Sequence, residues 1–262
     1  GRERVPRNLH FVTYTLRYDS STWVRIDRFK EHWEQARIDA EIANRGDIVI
    51  KSKNATALTL YIPAGYYSLD MTQAPGLTVD GQRLVAPAPL SDKSWRCQLH
   101  LEDDKWIVGE PKETGLVKKH GLQGPIDDAF MDSFVMVAPS AGKSIRPAVD
   151  AWAKSEMDRA IEHWRRHFRG EARVKNDVDV TSEDVAACNL VLWGDADSNS
   201  LLKRTSGQLP IRVAGDQLVA GERKFAAGHH APIMIYPNPL NPERYLVLNS
   251  GFTFRDYDYL NN

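Results

Sequence analysis

The stretch "LWGDADSN" (residues 192–199) has the residue types that chemistry at a strand end requires. A strand leading into Gly-Asp-x-Asp resembles the turn that supplies the acid of a Ser-His-Asp triad, but such an acid works only with a serine and a histidine in the same site. No G-x-S-x-G nucleophile elbow occurs in the chain. Asp195, Asp197, Ser198 and Asn199 are therefore read first as turn and cap residues and second as a ligand site. "APSAGKS" (138–144) offers Gly142, Lys143 and Ser144 to a phosphate loop. Val137 stands where the first glycine belongs, and Pro139 removes an amide, so a plain loop is the better reading. His163 and His167 are one helical turn apart, but without the HExxH glutamate and beside Arg165 and Arg166 they read as a basic helix face. His229 and His230 read as a loop pair. Cys97 and Cys188 have no ligand-spaced partner and read as small buried residues. No cofactor or metal is expected.

Two further stretches carry candidate functional polar residues. "YPNPLNPERY" (236–245) has three prolines and reads as a rigid loop. It serves packing or presents Asn238, Asn241 and Arg244 to a partner. In "HGLQGPIDDAFMDSFVMV" (120–137) adjacent Asp127 and Asp128 suggest an acid–base pair, but neighbouring side chains usually diverge. The stretch reads better as a domain junction. Gly121 and Gly124 permit the turn, the two aspartates cap or brace it, and "FVMV" enters the next strand.

The elements that would position these residues change character along the chain. With 262 residues, 42% of them hydrophobic, the chain can fill one large core or two ordinary ones. A net charge of −1 gives no global attraction for nucleic acid or anionic membranes, and no apolar run is long enough to span a bilayer. No leader-type apolar segment opens the sequence. The polar start suits a piece of a longer polypeptide or a mature secreted protein.

Residues 1–120 read as a β-sandwich-like domain. Residues 10–18 and 22–29 suggest a hairpin, 36–43 and 48–54 two strands joined by a turn at Arg45-Gly46-Asp47, and 57–63 another strand. Residues 29–42, "FKEHWEQARIDAEI", also fit a helix. Asp80-Gly81 marks a tight hairpin within 77–85, and 95–108 reads as a further one.

Residues 121–262 read as a doubly wound, mainly parallel α/β domain, flavodoxin-like or Rossmann-like. Strands are expected at 134–139, 171–175, 189–194, 209–213, 232–237 and 244–249. The long helix, 147–169, begins at Pro147, carries a stripe of Trp152, Met157, Ile161, Trp164 and Phe168, and ends at Gly170. Thr181 with Asp184 reads as a capping box, and Ser198 as the cap of a short helix. Right-handed crossovers would bring Pro139–Ser144, Asn176, Asp177 and Asp195–Asn199 to one edge. Any ligand site in this half is expected there, nearest Asp195 and Asn199, and in degenerate form.

Five strings, "HFVTYTLRYDSSTWVRID", "KKHGLQGPIDDAFMDSFVMV", "IEHWRRHFRGEARVKND", "NLVLWGDADSNSLL" and "YPNPLNPERYLVLNSGFTFRDYDYLNN", cover much of the chain. Together they resemble the region that follows the catalytic domain in large bacterial prolyl-oligopeptidase-like serine hydrolases of the α/β-hydrolase superfamily. The resemblance implies a chain trimmed at both ends, a secreted or periplasmic setting, and a partner in the upstream α/β-hydrolase domain of the same polypeptide. In that family the catalytic residues lie upstream, so none is carried over. The expectation is a non-catalytic accessory region that positions substrate, shields the active site or mediates assembly. The alternatives are an autonomous hydrolase built on the Asp195–Asn199 loop, or a polysaccharide- or protein-binding module using Trp23, Trp33 or Trp95 as platforms.

Overall fold

The computed structural model describes residues 3–43, 46–68, 70–112 and 115–253. Arg45 of the expected turn and the tail of the last string, 254–262, lie outside the described residues. The chain divides into two compact units, Gly1–Gln123 and Gly124–Asn262, and each sheet lies within one of them.

Unit 1 has ten strands: β1 (Asn8–Thr13), β2 (Ser20–Ser21), β3 (Val24–Phe29), β4 (Ala36–Ile42), β5 (Ile48–Lys53), β6 (Ala55–Ile62), β7 (Gly76–Val79), β8 (Gln82–Val85), β9 (Trp95–Glu102) and β10 (Lys105–Val108). They form two five-stranded sheets, ordered β1-β4-β5-β7-β8 and β10-β9-β6-β3-β2. Period-2 patterning explains why both sheets feed one core. In β4, Ala36, Ile38, Ala40 and Ile42 are buried, and they meet Ile26, Leu58, Leu60 and Leu99 of the other sheet. Asp80-Gly81 and Asp103-Asp104 turn their hairpins with positive φ at both residues, which matches strand twist.

The expected hairpin of 10–18 with 22–29 does not form. β1 pairs with β4 in one sheet, while β3 pairs with β6 and with the two-residue β2 in the other. Thr15 redirects the chain by capping a 3-10 turn at Leu16–Tyr18, its hydroxyl accepting from Arg17 N at 3.1 Å. Alternation identifies a strand but not its neighbour. Residues 36–42 are strand, so the helical alternative for this stretch fails. Trp23 and Trp95 are not platforms. Each is 1% exposed and donates its indole N–H to a carbonyl, of Pro6 and Pro87 respectively. Trp33 is 47% exposed, with the Lys118 ammonium 5.2 Å from its ring centre.

Unit 2 contains β11 (Phe134–Ala138), α1 (Pro147–Phe168), β12 (Val174–Asn176), α2 (Ser182–Ala187), β13 (Asn189–Leu192) and α3 (Ser200–Thr205). β14 (Ile211–Ala214), β15 (Gln217–Ala220), β16 (Arg223–Ala226), β17 (Met234–Asn238) and β18 (Asn241–Leu248) follow. The main sheet is ordered β12-β11-β13-β18-β17, with the first four parallel and β17 antiparallel. Val135, Val137, Leu190, Leu192, Leu246 and Leu248 face Val185 of α2 and Leu201 and Leu202 of α3. The alternate residue Phe134 packs edge-on against Trp164 of α1, centroids 4.6 Å apart.

Several expectations for this half need correction. Residues 209–213 do not join the parallel sheet. β14 opens a separate antiparallel meander with β15 and β16, turned at Gly215 and Gly221, both with positive φ. The fourth parallel strand is β18. "YPNPLNPERY" is a hairpin rather than a loop, because Asn238 pairs with Asn241 across Pro239-Leu240. α1 ends on Arg169 in the left-handed region (φ 59), one residue before Gly170. Its aromatic stripe is only half-buried, and the deepest positions are Val149, Ala153 and Ala160. The backbone of Gly251 comes so close to Ala160 that a Cβ there would lie 2.7 Å from the alanine methyl. Close approach selects small residues at that contact.

Thr181 and Asp184 form the expected capping box on α2. Asp184 also accepts from Arg173 at 2.9 Å and Lys175 at 2.6 Å. The Lys175 bond, then those from Thr181, hold its carboxyl at about 2, below the ordinary 3.8. A carboxylate with a lowered folded value stabilises above its ordinary value and loses that contribution as pH falls toward the folded one. Acid titration is therefore expected to destabilise α2 between about pH 4 and pH 2. An Asp184→Asn variant should be less stable near neutrality with a flatter acid limb. Parallel acid limbs in amide exchange of α2 would contradict this.

Candidate functional site

The loops that follow β11, β12 and β13 meet at the carboxyl edge of the parallel strands, the edge where open α/β sheets hold ligands. Two buried aspartates join them. Asp177 Oδ1 accepts from the amide and hydroxyl of Ser140, each at 2.6 Å, and its Oδ2 from Ser200 N at 2.6 Å. Asp195 Oδ1 accepts from Asp197 N and Ser198 N, both at 3.1 Å, and from Ser198 Oγ at 3.0 Å. Its Oδ2 accepts from the Ser144 hydroxyl and from Arg146 Nη2 at 2.7 Å. Ala141 N donates to Ser198 O at 3.1 Å and closes the first loop on the third.

Glycine lets the loops approach this closely. A Cβ on Gly142 would lie 2.7 Å from the Asp197 carbonyl oxygen. Gly194, at φ +92, packs under Ser198 and Pro139. The glycine of "APSAGKS" thus makes room for a neighbouring backbone, and its resemblance to a phosphate loop is incidental. Gly142→Ala is expected to destabilise unit 2 by about 1–3 kcal/mol, as overpacking does. Chemical denaturation would measure it, and a neutral result would show that the loops have slack.

The electrostatics favour structure over catalysis. Burial pushes the Asp195 carboxyl up, but bonds from Ser144, Arg146 and Ser198, with the Arg146 charge, outweigh it and hold the group below its ordinary value. Burial likewise pushes Asp177 up, and Ser140 and Ser200 bring it below the usual range. Both are ionised at neutral pH and accept hydrogen bonds only. Ser144 donates to a carboxylate too weakly basic to take its proton. No histidine bonds to this network among the described residues, and none of their clusters of His, Cys, Asp and Glu could hold a metal ion.

The expected site residues fall at two ends of the sheet. Asp195, Asp197, Ser198 and Asn199 share the carboxyl-edge loop. Asn199 rather than Ser198 caps α3, accepting from Leu201 N and Leu202 N, because the Ser198 hydroxyl is engaged by Asp195. Asp197 is exposed. Asn238 ends β17, and Asn241 and Arg244 lie at the start of β18, which is parallel to β13, so all three fall at the opposite edge. Asn238 is fully buried and accepts from Leu240 N within the hairpin. Asn241 donates to the carbonyls of Val185 and Ala186 at the end of α2. Arg244 pairs with Asp132 at 2.7 Å. Each of the three thus bonds within unit 2, while Asn238 Nδ2 is buried with no partner among the described residues.

Arg146 is the network residue that sequence reasoning misses. It occupies the N-cap of α1, where the helix dipole disfavours a cation and Ser, Thr, Asp or Asn is usual. An arginine immediately before the proline of a helix start is the signal that could have exposed it. No membrane-length apolar helix occurs among the described residues, and Cys97 and Cys188 are buried and free. No protein-family model, curated protein sequence or solved structure matches the chain.

Proposed function

We propose that this chain is a non-catalytic accessory region of a larger serine hydrolase, a peptidase or esterase, and that it works beside an upstream α/β-hydrolase domain of the same polypeptide in a secreted or periplasmic setting. In this reading unit 1 is a β-sandwich-like domain. Unit 2 is a doubly wound α/β domain of flavodoxin-like or Rossmann-like kind, supported by its four parallel strands and by helices packed on both faces of the sheet. The observation that carries the accessory role is the closed carboxyl edge. The position where such a sheet would bind substrate is filled by Ser140, Ser144 and Arg146 bonded to Asp177 and Asp195. The same closure disfavours an autonomous hydrolase built on the Asp195–Asn199 loop. With no nucleophile elbow in the sequence, the assignable role is support of chemistry performed elsewhere.

The test has two arms. The isolated chain should neither turn over a small activated ester nor be labelled by a fluorophosphonate. Co-expressed with the hydrolase domain, it should co-purify with that domain and change its turnover of polymeric substrate more than of a small ester. Stoichiometric labelling of one serine in the isolated chain, or an Asp195→Ala variant that loses a measurable activity while remaining folded, would replace the accessory role with an enzymatic one.

A further inference from the structure

We draw no further inference here: the strongest candidate, the apolar groove of about 410 Å³ between α2, α3 and the β17–β18 hairpin, lined by Val180, Val185, Leu201 and Leu240, carries nothing because nothing in the structure shows what covers it.

Discussion

Arg146→Met is expected to cost unit 2 about 3–5 kcal/mol, the loss typical when one partner of a buried ion pair is removed. The Arg146 and Asp195 side chains are 8% and 6% exposed, so water does not take over solvation of the remaining carboxylate. With the guanidinium gone, burial would push the Asp195 carboxyl up with less to oppose it, and part of the loss would appear as a new pH dependence. Arg146 also bonds the Ala227 carbonyl at 3.3 Å, so the segment after the meander should loosen too. The pair variant Arg146→Met with Asp195→Leu tests the charge argument. Replacing both members removes the uncompensated charge but leaves Ser144, Ser198 and the Asp197 amide without an acceptor. Stability should recover in part and not fully. Native-state hydrogen exchange of the β11 and β13 amides would read both variants. A loss under about 1 kcal/mol for Arg146→Met would show that the pair is solvated and the edge open.

How much of this was legible in the sequence depends on the range of the interaction. Features set by neighbours in the chain were readable: the Asp80-Gly81 hairpin, the Thr181–Asp184 capping box, Pro147 at the helix start and the strand at 134–138. The meeting of the 139–144 and 195–199 loops was readable because parallel strands with helical crossovers place successive loops on one edge. Partner choice was not. Nothing in the alternation of residues 8–13 says that their neighbour is β4 and not β3, and nothing in "LPIRV" says that it leaves the main sheet. Whether Asn241 and Arg244 serve packing or face a partner was open in the sequence. Their partners, α2 and Asp132, are distant in sequence and become neighbours only through tertiary packing.

Tyr245→Phe is expected to be the next most costly change, and it tests the reading of the 120–137 stretch as a junction. The Tyr245 hydroxyl accepts from Gly124 N at 2.8 Å and donates to Asp128 Oδ2 at 2.6 Å, all of it buried. One phenol thus fixes the first residue of unit 2 and one of the paired aspartates. Asn189 reinforces the same corner, donating to Ala129 O at 2.8 Å and accepting from Tyr245 N at 2.9 Å. Asp127 turns to Thr253 instead, accepting from its amide and, at 2.8 Å, from its hydroxyl. The two adjacent carboxylates therefore diverge to brace separate segments and share no site. Removing the Tyr245 hydroxyl leaves a buried amide without an acceptor, at about 1–3 kcal/mol, and takes a donor from a carboxylate, at about 1.5–3 kcal/mol. The two terms overlap, so a loss of about 2–4 kcal/mol is expected in unit 2. Tyr236→Phe is the control. Its ring packs at the edge of the same core, its hydroxyl makes no hydrogen bond among the described residues, and its loss should be within about 0.5 kcal/mol. Equal effects of the two variants would mean that the phenol at 245 contributes packing alone and that the brace at Gly124 and Asp128 is held by other groups.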